Sequence, residues 1–175
     1  IGLYLENGTF FLPAMMWQAC DPNRQLHILL AFLLALMVRT PLVPCHTWLP
    51  SVLSGAPPAA TFILTALLPG LTLCGLLRFC IPLCPDAFLR LAPNMLYLSA
   101  IGTLYGGWAA LCQKNLHRLL AHVLICNIAL VTLGVFSGAA QSLQGSVLHL
   151  IHLSLLCTGL CLCLGLLARR GLQPD

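Results

Sequence analysis

The sequence predicts an all-α integral membrane protein with about five transmembrane helices, and three observations carry that assignment. Of 175 residues, 59% are apolar and 7% are Asp, Glu, Lys or Arg, whereas a soluble domain has about 25% charged residues to face water. Mean hydropathy is +0.95, which excludes a disordered chain, because disorder requires few apolar residues. The apolar residues fall into five runs, each close to the ~20 residues that cross hydrocarbon as a helix and too long for strands. The net charge of +4 comes from scattered side chains rather than a basic stripe, so no nucleic-acid partner is expected.

Residues 1–25 hold only a short apolar run at 9–17, with Glu6 before it and Pro13 inside it. That is neither a signal peptide nor a span, and an extramembrane or surface segment is expected. The spans follow at about 26–49 (segment A), 57–79 (B), 93–112 (C), 116–137 (D) and 147–168 (E), with a polar tail at 169–175. Lipid favours helices because each backbone N–H and C=O must be satisfied within its own segment. The short connections imply antiparallel neighbours. Lys114, Arg118, Arg169 and Arg170 then lie on the side reached at the end of segment A. Arg24, Arg78 and Arg90 lie on the other, so the first side is expected to face the matrix or cytoplasm.

Small residues mark close helix approach. Gly102 and Gly106 are four apart in segment C, as are Gly134 and Gly138 at the end of segment D, a spacing that lets helices pack tightly in lipid. The ten cysteines lack zinc-ligand spacing, and most sit in apolar runs where a thiol acts as a small hydrophobe. No metal, disulfide or cofactor is expected, and no catalytic residue is assigned.

Segment A is the informative one. Its unbroken apolar run, 26–38, is too short to span about 30 Å at 1.5 Å per residue. It reaches that length only by continuing through Arg39, Pro41 and Pro44. A proline removes a backbone donor and breaks the helix, and protein or water must then satisfy the freed carbonyls. A charge at that depth costs about 2.5–3.5 kcal/mol or more and marks an ion path or a buried pair. The other reading ends segment A at Val38, short and tilted, with Arg39 snorkelling to the surface.

The stretch Val38-Arg39-Thr40-Pro41-Leu42-Val43-Pro44-Cys45-His46-Thr47-Trp48-Leu49-Pro50, followed by Ala56-Pro57, resembles the V-K-x-P-x-x-P-x-H-x-W-L-P…A-P signature of the antiporter-like membrane subunits of respiratory complex I. Gly75-Leu76-Leu77-Arg78-Phe79, Tyr105-Gly106, Gln113, Arg118-Leu119-Leu120-Ala121 and Gln144-Gly145-Ser146-Val147 extend the likeness, which favours NADH dehydrogenase subunit 4 over subunits 2 and 5. The resemblance implies a partial antiporter-like fold covering about helices seven to eleven, with segment A as the broken seventh. It makes Pro41, Pro44, His46, Trp48, Pro50 and Pro57 structural. It implies a piece of the proton-translocating membrane arm that serves NADH:ubiquinone oxidoreduction, with no redox chemistry on this chain. The implied partners are lipids, subunits 2 and 5, and a chain supplying the remaining helices of subunit 4. The implied location is the mitochondrial inner membrane, or alternatively a bacterial plasma membrane.

The ionisable positions carry over unevenly. Arg39 stands where the resemblance places a lysine; Arg keeps the charge but does not release its proton. The central lysine or histidine of the next helix falls on Gly70, and the histidine of the eleventh on Leu153, beside His152. The expected proton-path or buried-charge residues are Arg39, His122, His149 and His152; the alternative is a scaffold whose key ionisable residues are replaced. Two other functions compete. One is a membrane electron carrier with a b-type haem between His122 and His149 or His152, and the other is a small secondary transporter.

Overall fold

A computed structural model describes residues 22–169. Six helices follow in order: α1 Pro22–Arg39, α2 Trp48–Gly55, α3, α4 Pro85–Leu111, α5 Leu116–Phe136 and α6 Ala140–Arg169. Helix α3 is built from consecutive pieces, Pro58–Phe62, Ile63–Leu67, Leu68–Gly75, Leu76–Cys80 and Ile81–Leu83. Segments 1–21 and 170–175, and with them the expected surface segment up to Asp21 and the charge at Arg170, lie outside the described residues.

Segment A is interrupted at its prolines, as the sequence predicts. Helix α1 ends at Arg39, a turn covers 40–47, and α2 begins at Trp48. Pro41 has no N–H for Met37 C=O, which accepts instead from Leu42 N–H at 3.4 Å, and Val38 C=O accepts from Trp48 Nε1 at 3.1 Å. Leu36 C=O, the last before the break with its helical partner, accepts from Thr40 N–H and Thr40 Oγ1, both at 2.7 Å. The two prolines in the interior of α3, Pro69 and Pro82, are absorbed differently. Wide π-type turns at Ile63–Leu67 and Leu76–Cys80 precede Pro69 and Pro82, and in such a turn a carbonyl is reached by the N–H five residues on instead of four.

Two helices start earlier than apolarity alone predicts. Helix α4 begins at Pro85, with proline in its first turn and Asp86 beside the helix start, both favourable at an N-terminus; Pro93 is carried inside it. Helix α6 begins at Ala140, just after Gly138, whose φ of +74° closes α5 in the left-handed conformation that glycine takes past a helix end. Gly138 is thus a turn residue and not a packing one. Among the described residues three helices are long and apolar enough to cross a membrane: Ala59–Leu83, Leu116–Phe136 and Ala140–Leu167. The other two expected crossings fall short for stated reasons. Helix α1 opens on Asn23, Arg24 and Gln25, and α4 carries Asn94, Tyr97, Tyr105, Trp108 and several glycines.

The helices enclose two stacked apolar cores. Near the start of α1, Leu29, Leu33, Leu76, Phe88, Val131 and Phe136 pack together. At the far side, the turn and α2 bring Leu42, Leu49 and Leu53 against Leu124, Ile125 and Ile128 of α5 and Leu153 of α6. Helix α5 runs through both. Gly102 and Gly106 of α4 lie against it, and a Cβ on Gly106 would stand 2.8 Å from Cys126 N.

Candidate functional site

The site is organised by the break in segment A. Thr40, Pro41 and Leu42 are buried, and this stretch packs against Thr72 and Leu76 of α3, Met95 of α4 and Thr132 of α5. The chain therefore leaves helical geometry inside the bundle, beside Thr72 and Leu76 of α3. Arg39 itself is exposed on the surface of this chain. Its neighbour Thr40 faces the core, and one residue turns a helix by about 100°, which aims the guanidinium outward.

The structural residues of the signature occupy the turn and α2. Trp48 opens α2 and ties back to α1, Pro50 sits in its first turn, and Pro57 leads into α3 in extended geometry. His46 is buried, with its ring edge-on to Tyr105 at 4.8 Å and 68°. Among the described residues neither ring nitrogen makes a hydrogen bond of good geometry, although the Pro44 carbonyl lies close by.

The remaining candidates divide into two places. His122 is buried on α5, with Nδ1 2.8 Å from Arg118 O, and shares a recess with His46. His149 and His152 share one face of α6, as their spacing predicts, with ring centroids 6.5 Å apart. His149 Nε2 lies 3.1 Å from Asn127 Oδ1, and Asn127 Nδ2 donates to Val123 O at 2.8 Å; His152 is exposed. Sequence reasoning missed Asn127 as the tether of His149, although an amide inside an apolar run is a signal for an interhelical hydrogen bond. It also missed Tyr105 as the ring against His46.

His122 and His149 do not suit a haem held between them, and His152 is exposed on α6. His149 meets α5 at Asn127, which lies five residues, or about 7.5 Å of rise, beyond His122. The rings therefore do not oppose one another at one depth. Gly70 faces only the Leu150 side chain, 3.9 Å from where its Cβ would stand, so apolar contacts fill the place where the resemblance puts an ionisable group.

The family described as "NADH:quinone oxidoreductase/Mrp antiporter, TM" matches residues 1–173. The chain belongs to this family. It is 35% identical over 168 residues to NADH-ubiquinone oxidoreductase chain 4 of Triticum aestivum, covering 96% of this chain and 34% of that protein. To NADH-quinone oxidoreductase subunit M of Escherichia coli (strain K12) it is 36% identical over 143 residues, covering 82% and 28%. Its fold resembles a chain in the structure of respiratory complex I from Thermus thermophilus with bound NADH. The TM-score is 0.86 at 31% identity, over 96% of this chain and 36% of that one. The chain thus spans about a third of the length of the relatives it matches, and as a member of this membrane family its fold is all-helical and partial.

Proposed function

We propose that this chain is a stretch of the antiporter-like subunit 4 (subunit M in bacteria) in the membrane arm of an NADH:quinone oxidoreductase, crossing the membrane five times and serving proton translocation. The observation that carries this reading is the interruption between α1 and α2, held by Trp48 and Thr40, within a fold shared with a complex I chain. The partners are the neighbouring membrane-arm subunits 2 and 5, lipids, and the helices that complete subunit 4. The membrane is the mitochondrial inner membrane. NADH oxidation itself takes place on other subunits.

Within that assembly Arg39 is the buried charge. The chain has four acidic residues, Glu6, Asp21, Asp86 and Asp175, none of them inside segments A to E, so the carboxylate that meets Arg39 comes from beyond these helices. A buried charge stripped of its partner is strongly destabilising. Arg39→Leu should therefore lower the amount of chain found in the assembly, whereas Arg39→Lys should preserve it. A scaffolding role has its own support in Gly70, whose Cβ position meets only the Leu150 side chain within 4 Å.

Native gel electrophoresis of solubilised membranes tests the assignment. The chain should migrate with NADH dehydrogenase activity, and a monodisperse monomer or dimer would overturn the reading in favour of a small transporter. Full assembly of the Arg39→Leu variant would remove the proton-path role and leave the scaffold.

A further inference from the structure

A polar recess opens on the far side of the bundle between α2, α4 and α5. It encloses about 270 Å³, and His46, Thr47, Tyr105, Gln113, Arg118 and His122 line it. His46 gives it meaning. The residue is 7% exposed and both ring nitrogens are buried; apart from an approach to the Pro44 carbonyl that falls short of good hydrogen-bond geometry, neither meets a polar partner among the described residues. An unsatisfied buried imidazole forfeits the hydrogen bonds it made in water, so its position calls for something in the recess to bond with.

The lining says what that is. Arg118 supplies a fork of N–H donors, Tyr105 and Thr47 supply hydroxyls, and His122, with Nδ1 engaged by Arg118 O, keeps Nε2 for the recess. Among the described residues no carboxylate lines it. Thr47 and Ser51 also place the start of α2 at its wall; Leu49 N–H is taken by His46 O and Pro50 has no N–H, so what the helix start adds there is its positive end. A positive, donor-rich recess without an acid is complementary to a phosphate oxyanion, which guanidinium groups bind bidentately.

We propose that this recess binds a phosphate group, with Arg118 as the main anchor and His46 and His122 completing the contacts. Its depth matches lipid headgroups. Tyr105 and Trp108 are exposed close to the end of α4, where aromatic side chains sit at the membrane interface, and basic pockets between helices on this side of a membrane bind anionic headgroups. The same chemistry is met by dissolved phosphate. The inference needs the chain to be in a membrane and does not depend on proton translocation.

Histidine carbethoxylation by diethyl pyrocarbonate, read peptide by peptide by mass spectrometry, tests it. The full chain, kept in the assembly with which it is extracted, is placed in vesicles of phosphate-free galactolipid, with or without phosphatidylglycerol, in phosphate-free buffer. Phosphatidylglycerol should slow modification of His122 about tenfold, the range expected for a charge-assisted bond, while exposed His27 on the near side reacts unchanged. Arg118→Gln should abolish the protection, and Arg78→Gln, on the opposite side, should preserve it. Protection by millimolar inorganic phosphate in galactolipid vesicles would support the site and identify the free ion as its ligand. Failure of both phosphatidylglycerol and inorganic phosphate to protect, or equal protection in Arg118→Gln, would overturn the proposal.

Discussion

Helices α5 and α6 have the same mean hydropathy, 2.3, over their most apolar stretches, yet 61% of one and 17% of the other is buried within the chain. Apolarity says which solvent a helix tolerates; it does not say which helix sits at the centre. In lipid there is no hydrophobic drive to bury one leucine over another. Close approach and hydrogen bonding decide instead. Helix α5 presents Ala121, Ile125, Ala129 and Thr132 to neighbours that offer Gly102 and Gly106 in return. Helix α6 carries Leu148, Leu155, Leu162 and Leu166 outward, a stripe fit for lipid or for helices beyond this chain.

The sharpest way to break this comparison is to block the approach. A Cβ at Gly106 would lie 2.8 Å from Cys126 N and 2.9 Å from its Cα, against backbone that cannot turn aside. Gly106→Leu should destabilise the chain by about 3 kcal/mol, read as a fall in thermal unfolding temperature of the assembled protein in detergent. Gly159 of α6 has nothing near its Cβ position, so Gly159→Ala should stabilise slightly, by about 0.5–1 kcal/mol, through its helix preference. Equal losses at the two glycines would mean that α6 is as tightly enclosed as α5.

Truncation of large side chains sharpens the contrast. Ile128 on α5 is fully buried, and Leu155 on α6 is largely exposed. Ile128→Ala should cost about 2 kcal/mol, at the low end for such changes because the lipid reference removes most of the transfer contribution and leaves the lost packing. Leu155→Ala should fall within the error of the same melting assay. A matching cost at Leu155 would reveal a partner helix on the outer face of α6.

One polar contact joins the two helices. The bond from His149 to Asn127 is interhelical, and Asn127 is held in turn by Val123 O. A double-mutant cycle of Asn127→Ala and His149→Leu should give a coupling energy of about 1 kcal/mol, typical of hydrogen bonds between membrane helices. Zero coupling would make His149 a lipid-facing residue with no structural tie.

The contrast also explains what was legible in the sequence. The break at Pro41 and Pro44 was legible because a missing N–H is a local, covalent fact. So was the shared face of His149 and His152, which follows from helical spacing. The tight α4–α5 contact was legible through Gly102 and Gly106. The start of α4 was not, because Pro93 reads as a boundary while Pro85 and Asp86 supply the actual one. Nor was the outward aim of Arg39, since the side of the break facing the core depends on which helices arrive there. The recess around His46 was hidden for the same reason: Tyr105, Arg118 and His122 are far from it in sequence and meet it only through the folded α4–α5 pair.

The smallest expected effect separates hydroxyls that join helices from hydroxyls that do not. Thr132 Oγ1 donates to Ala129 O at 2.8 Å, and its one proton is thereby used. Its 3.0 Å contact with Ser99 Oγ must then run from Ser99 as donor to Thr132 as acceptor. Thr132→Val removes that acceptor and leaves a buried serine hydroxyl to turn back to its own helix, so it should cost about 0.6 kcal/mol, the average for such bonds in membrane proteins. Ser99→Ala leaves Thr132 its bond to Ala129 and should cost less. On α6, Thr158 Oγ1 donates to Ser154 O at 2.7 Å within the same helix, as Ser154 Oγ does to Ile151 O. Thr158→Val should therefore leave the melting temperature unchanged. A loss at Thr158 as large as that at Thr132 would show that hydroxyls on both helices serve only their own backbone, and that the centre of the fold is set by the glycines of α4 alone.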